Sequence, residues 1–434
     1  MKKSSYSLIL NVNSQKILFN TLHGTAELVD NEFEEKWNKN LLDNFQIVEQ
    51  EYLKKRGHIV NNEEDKLVRK YEERVLSDRK SKFYLMYSYK CNFNCFYCFE
   101  KKAVVEQKIN YDMLDNIFIA IKKIIEVNGT TDNELVLFGG EPLLLENREL
   151  IIKTLEFVRE NDYKVSIISN GVNVKEYLQL FIQYKKYISG FSITIDGNKK
   201  EHDSRRVYKN GKGSYDKIIY NIKLLKSVDL NVSIRMNIDK TIARNLKDTF
   251  TEIYFDLGFK ANISLSLVED STCTGMCQNV YTFREVAECI DQGGYLQNND
   301  NITINIKPIL QIIELLQREK SILPHFKYCR MSELYVFSPD GKVSVCPQSC
   351  GHEKFVVGTY YPNVNIQKEK IDELNSFSSL KISRCRECAL APICGGGCYV
   401  KKIYNLDNKT DICYYGDIKN TLEFLIDRML LKNE

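Results

Sequence analysis

The chain has 434 residues, 43% of them hydrophobic, enough for two or three domains with cores of their own. Lys and Arg total 61 against 58 Asp and Glu, a balance that excludes a strong field recruiting nucleic acid or an anionic membrane. The opening "MKKSSYSLILNV" is interrupted by Asn11 and Asn13 short of signal-peptide length, and no later stretch approaches the roughly 18 apolar residues of a membrane span. A cytoplasmic protein is expected.

Residues 1–80 read as a small α+β module. Two short strands, "SYSLILNV" and "KILFNT", precede a helix through "NEFEEKWNKNLL", a second helix that stops at Gly57, then "HIV" and a charged helix over "NEEDKLVRKYEERV". From Phe83 strands and helices alternate, the mark of a parallel sheet. "FYLMYSY" is the first strand, and Leu114, Ile117, Phe118, Ile121, Ile124 and Ile125 then share one helical face. "ELVLF", "KVSIIS", "GFSITI", "NVSIRMNI" and "NISLSLV" complete six βα units. The fold class is therefore α/β, a partial (β/α)6 TIM-like barrel over residues 81–310, with the N-terminal module before it and a cysteine-rich domain, 311–434, after it.

In such barrels the active site lies at the C-terminal ends of the strands, and the conspicuous loops fall there. Cys91, Cys95 and Cys98 follow the first strand, "GGEP" (Gly139, Gly140, Glu141, Pro142) the second, "SNG" (Ser169, Asn170, Gly171) the third and "DG" (Asp196, Gly197) the fourth. In a reducing compartment, 14 cysteines argue for thiolate-bound metal rather than disulfides, and only five histidines are available. Sulfur-rich sites select zinc or iron-sulfur clusters. Taken singly these loops say little: three cysteines suit part of a zinc site, and the other three motifs are ordinary turns. Phe93, Phe96 and Phe99 are expected in the core, shielding the cysteines from water.

C-x3-C-x2-C after the first strand, with Gly-Gly-Glu-Pro after the second, resembles the radical S-adenosylmethionine (SAM) superfamily. The resemblance implies a [4Fe-4S] cluster on Cys91, Cys95 and Cys98 whose fourth iron is chelated by SAM. It further implies that Tyr97 lies against adenine, that Gly139, Gly140 and Glu141 hold the SAM amino group, and that Ser169 and Asn170 belong to the cofactor site. Thr194 and Arg206 would meet the ribose and carboxylate, with Arg205 interchangeable with Arg206 at this level.

The last quarter has its own pattern. Cys329 precedes the strand pair "LYVFSPDGKVSVCP", whose Asp340-Gly341 turn marks a hairpin, and Cys346 follows. "CRECALAPICGGGC" spaces Cys385, Cys388, Cys394 and Cys398 as C-x2-C-x5-C-x3-C, and Cys413 closes the set. This resembles the seven-cysteine SPASM extension of radical SAM enzymes. The resemblance implies two auxiliary clusters, one on Cys385, Cys388, Cys394 and Cys413 and one on Cys329, Cys346 and Cys398, hence three [4Fe-4S] clusters with SAM. Cys350 is near enough in sequence to supply a fourth ligand; otherwise an open iron would be left to bind a substrate thiolate, or Cys350 is an idle loop residue. A zinc ribbon would explain four of these cysteines and leave the others idle. Cys273 and Cys277 are expected as free, partly buried thiols, and Cys289 as core.

SPASM enzymes mostly modify peptides or proteins, and the N-terminal module resembles the leader-peptide recognition element of ribosomal peptide maturases. Two early strands with an exposed edge suit strand addition by an extended leader; the bland alternative is a cap on the barrel. The anaerobic sulfatase-maturating enzymes share the barrel and the auxiliary clusters but typically carry an aspartate where this chain has Pro347. That departure favours a thioether-forming maturase of sactipeptide or ranthipeptide type over formylglycine formation or carbon-carbon crosslinking. The expected partners are a precursor peptide with its leader and an electron donor of flavodoxin or ferredoxin type, with no nucleic acid and no membrane.

Overall fold

The computed structural model describes residues 1–61, 64–77, 80–102, 106–268, 282–296, 301–317, 326–329, 331–402 and 413–431. Cys273 and Cys277 lie outside the described residues.

Ser7–Val12 (β1) and Gln15–Asn20 (β2) form a hairpin closed by Asn13 and Ser14, at φ 46° and 66°. Two left-handed turn residues match the twist of the flanking strands. A third strand, Thr25–Val29 (β3), pairs antiparallel with β2. It is absent from the sequence reading because "TAELV" shows no alternation of buried and exposed residues. Helix Asn31–Asn38 (α1) is capped by Asp30, whose side chain accepts from the Phe33 amide. It ends before Leu42, where a separate 3-10 turn, Leu42–Asn44, takes over. Ile47–Lys55 (α2) stops ahead of Gly57 at φ 80°, a conformation that favours glycine after a helix end. The charged helix is Glu64–Ser77 (α3).

Six parallel strands stand side by side in chain order: Lys80–Met86 (β4), Asp132–Phe138 (β5), Lys164–Ser169 (β6), Ile188–Thr194 (β7), Val232–Ile238 (β8) and Asn262–Leu267 (β9). A seventh, Ile302–Ile304 (β10), adds parallel to β9. Three residues give no periodic signal, so the sequence reading stops at six. Helices cover the outer face. In Tyr111–Asn128 (α4), Leu114, Ile117, Phe118, Ile121 and Ile124 are buried, each contributing roughly 1.5–3 kcal/mol.

The C-terminal hairpin is Leu334–Phe337 (β11) and Lys342–Ser344 (β12), with Gly341 at φ 83° in its turn. β11 also runs parallel to β4, placing Leu334 beside Lys82 and Phe337 beside Leu85. Val356–Thr359 (β13) and Asn365–Ile366 (β14) continue outward, so one sheet of eleven strands carries both the barrel and the hairpin. Tyr415–Ile426 (α5) packs on β1, and its Glu423 accepts from the Asn11 amide at 3.1 Å. Cys289, on Phe283–Gln292, is partly buried against the main core. No helix among the described residues is long and apolar enough to cross a membrane.

His58 pins the N-terminal module. Its fully buried ring lies 3.0 Å from Ser7 Oγ and 3.3 Å from Thr25 Oγ1, and burial lowers its pKa to about 4. The folded state thus binds fewer protons than the unfolded one, so this stability is present above pH 6.5 and is lost as pH falls toward 4. Moving from pH 7 to pH 5 should cost on the order of 2 kcal/mol, read as faster amide exchange across residues 1–60. His58→Gln should flatten that pH dependence.

Candidate active site

The loop after β4 is clamped from two sides. Asn94 N donates to Val207 O at 2.9 Å, Lys209 N donates to Asn92 O at 3.2 Å, and the buried Phe93 ring meets Tyr208 edge-on. On the other side Glu141 N donates to Lys90 O at 2.9 Å and Asn170 Nδ2 donates to Asn92 Oδ1 at 2.7 Å. Cys91, Cys95 and Cys98 therefore face a cavity of about 430 Å3 at the C-terminal ends of the strands. Phe93 and Phe99 line it, whereas Phe96 is 52% exposed. The shielding expected of Phe96 is corrected: its ring stands outside, edge-on to Tyr97.

Glu141 ties two loops together. Its Oε1 accepts from Ser169 Oγ at 2.7 Å and Leu143 N at 2.9 Å, and its Oε2 accepts from Asn170 N at 2.7 Å. Burial pushes the carboxyl up, while these three donors hold it down. Gly140, at φ 51°, donates its amide to Glu100 Oε2 at 2.7 Å, and a Cβ there would lie 2.2 Å from Lys90 O. Only glycine allows this approach of backbone to backbone. Glu100 is raised to about 7 by burial.

Tyr97 is held by its hydroxyl, which donates to Asp196 and accepts from Arg206 Nη1 at 2.5 Å. Asp196 also accepts from the amide of Asn237 at 2.8 Å. The choice between the two arginines is resolved: Arg206 lines the cavity beside Thr194, and Arg205 turns away to pair with Asp239. His202 accepts from Asp196 N at 3.2 Å on Nδ1, leaving Nε2–H for Ser214 Oγ at 3.0 Å; Ser214 donates to Arg206 O at 2.8 Å. This buried chain fixes the backbone that carries Arg206. It was not legible in the sequence.

No disulfide joins the described cysteines. Burial first, then Glu141, pushes Cys91 up to about 12, and burial first, then Glu100, takes Cys98 to about 11. Such thiols ionise only when a cation meets them. In the C-terminal part, Cys346 is raised by burial and then by Cys329 and Cys398, while Cys394 is raised to about 11 by burial and then by Cys385 and Cys388. Cys413 acts on Cys388. Cys350 Sγ turns toward β4, 3.9 Å from Met86 Sδ. Among the described residues, no three His, Cys, Asp or Glu side chains converge closely enough for a single metal ion. All-thiolate donor sets on glycine-rich loops fit an iron-sulfur cluster.

Residues 85–251 match the radical SAM superfamily. Over those residues the chain carries a radical SAM domain. It is 29% identical over 169 residues to a cysteine-type anaerobic sulfatase-maturating enzyme of Clostridium novyi, a match covering 36% of this chain and 43% of that protein. It is 24% identical over 435 residues to the radical SAM cyclopropyl synthase TigE of Paramaledivibacter caminithermalis, covering 88% and 85%. Among solved structures, anSMEcpe with bound AdoMet and the Kp18Cys peptide shares 18% identity and a TM-score of 0.62 over 81% of this chain and 99% of that one. Streptococcus suis SuiB bound to precursor peptide SuiA shares 16% and 0.53 over 93% and 96%. At these identities the two structures show the same fold. A radical SAM enzyme implies a [4Fe-4S] cluster and SAM.

The barrel contributes cavity residues that the motifs do not mark: Arg235 and Asn237 on β8, Ser266 on β9 and Asn305 after β10. Their signal is alternation. In "VSIRMNI" Ile234, Met236 and Ile238 are buried, and the polar residues between them face the barrel interior.

Gly140→Ala should lose about 1–3 kcal/mol of local stability and most SAM binding. Thermal unfolding and equilibrium dialysis with SAM check both, and wild-type SAM affinity would refute the cradle.

Proposed function

We propose that this radical SAM enzyme installs a thioether, from a cysteine sulfur to a carbon, in a ribosomally made precursor peptide. The observation that carries the reading is that Cys346, Pro347 and Gln348 wall the same cavity as Cys91, Cys95 and Cys98. A peptide residue seated there meets both thiol groups at once. When bound, the clusters and SAM supply the electron, the 5′-deoxyadenosyl radical that takes hydrogen from carbon, and an acceptor for the electron released on closing the C–S bond. Per ring, one hydrogen leaves carbon, one proton leaves the thiol, and one electron is removed.

In this proposal Cys91, Cys95 and Cys98 hold the first cluster. Gly139, Gly140, Glu141, Ser169 and Asn170 shape one side of the SAM site, and Tyr97, Thr194 and Arg206 the other. Cys385, Cys388, Cys394 and Cys413 hold a second cluster. Cys329, Cys346 and Cys398 hold the third, which Cys350, beside Cys346, completes. Formylglycine formation is the rival reading. Pro347 counts against it, because the ring can take no proton at the position where that resemblance calls for an aspartate.

The same proposal divides the chain at residues 80 and 310 and gives 1–80 the precursor's leader. β3 is an edge strand with Leu28 63% exposed, and a groove of about 760 Å3 beside it carries Lys54, Lys55 and Lys70. An edge strand next to a basic groove suits an acidic extended segment. The external electron donor is of flavodoxin or ferredoxin type, and a reducing cytoplasm suits the cysteine content.

Co-expression with a cysteine-containing precursor peptide, should one be encoded near this gene, is expected to give a loss of about two mass units per ring and a matching resistance to alkylation, since an alkylating agent needs a free thiolate. Mass loss with an unchanged thiol count would sink the thioether. Anaerobic iron analysis should find about twelve irons per chain, falling by about four when Cys91, Cys95 and Cys98 become alanine. That variant should form no 5′-deoxyadenosine.

A further inference from the structure

The cavity holds two arginines in different circumstances. Arg206 is spoken for by Asp196, at 3.7 Å, and by the Tyr97 hydroxyl. Among the described residues Arg235 has no ion pair: its Nε donates to Asn237 Oδ1 at 3.3 Å, and its terminal nitrogens meet no acceptor there. Asn237 is itself fixed, its amide groups donating to Asp196 Oδ1, so its Oδ1 is turned to Arg235 and holds the guanidinium in place. Of the two acids that line the cavity, Glu141 is taken up by three donors, and Glu100 accepts from the Gly140 amide on Oε2 while its buried Oε1 has no partner among the described residues.

Position adds to this. Arg235 is in register with Thr194 of β7, one strand further round the barrel, and points inward with Asn237. Tyr84 and Cys346 line the same cavity. Arg235 thus shares one cavity with Thr194, Cys346 and Ser266, whose buried hydroxyl has no partner among the described residues. An unpaired guanidinium in a half-closed cavity is costly, and the planar fork matches a carboxylate with two parallel hydrogen bonds.

We propose that Arg235 anchors a carboxylate of the peptide substrate, so that the residue presented for hydrogen abstraction is an aspartate or glutamate. This rests on the peptide-substrate reading and names its substrate class. SAM also carries a carboxylate, and the test separates the two sources.

The probes are two fluorescein-labelled peptides, acetyl-Cys-Gly-Gly-Asp-Gly-Gly-amide and its Asn counterpart, titrated by anisotropy into the reconstituted full-length holoenzyme with SAM. The Asp peptide should bind about tenfold more tightly than the Asn peptide, the usual scale of a charge-assisted hydrogen bond. Arg235→Gln should bring the two within about twofold while SAM affinity, measured without peptide, changes by less than about twofold. Arg235→Lys, which keeps the charge, should retain part of the preference and shows that the cavity is intact. No discrimination by the wild type, including no binding of either peptide, overturns the inference. So does a tenfold loss of SAM affinity in Arg235→Gln with the Asp preference intact, which would give Arg235 to SAM. An Asp preference without any mass change in the peptide upholds Arg235 and removes the thioether chemistry instead.

Discussion

Four residues of β11 run parallel to β4, and the position of every thiol loop at the cavity follows from that pairing. β4 ends at the loop of Cys91, Cys95 and Cys98. β11, through its hairpin partner β12, leads to Cys346. Because parallel neighbours deliver their loops to the same edge of a sheet, residues more than two hundred positions apart open onto one space. A slip of one residue would turn the inward side chains outward. Tyr335 and Phe337, fully buried and packed against Phe83, oppose such a slip.

Around that space the protein settles its charges in two ways. Some are saturated: Glu141 by three donors, Asp196 by Tyr97, Arg206 and Asn237. These build walls, because a buried charge whose hydrogen bonds are met holds its neighbours in one geometry. Others are left for ligands. The cysteines are pushed toward the protonated state by burial, and Arg235 has no acid beside it. Groups of this second kind are stable partners only for something brought in from outside, cationic in one case and anionic in the other.

The N-terminal module shares no sheet with the rest, but its first two strands join the main core through Leu8, Leu10, Val12, Ile17 and Phe19. Asn11 meets Glu423, and Ser378 donates to Glu72 at 2.8 Å. The other side of its sheet forms a second cluster with Trp37, Leu42, Phe45 and Leu53.

The sequence by itself marked the cysteine loops and the Gly-Gly-Glu-Pro loop beside the first of them, because cysteine spacing and Gly-Gly-Glu-Pro are local properties of a few consecutive residues. It also determined six barrel strands and the helices between them, whose periodicity spans enough residues to read. It did not reveal β3 or β10, too short or too irregular to carry a period, nor that Phe96 stands in water. Only the tertiary structure decided which of Arg205 and Arg206 enters the cavity, since adjacent residues differ in direction by a rotation set by packing. Likewise only the tertiary structure placed Arg235 in one cavity with Tyr84 and Cys346. Strand register and the β4–β11 pairing fix that meeting, and both are choices among distant segments that no local stretch of sequence expresses.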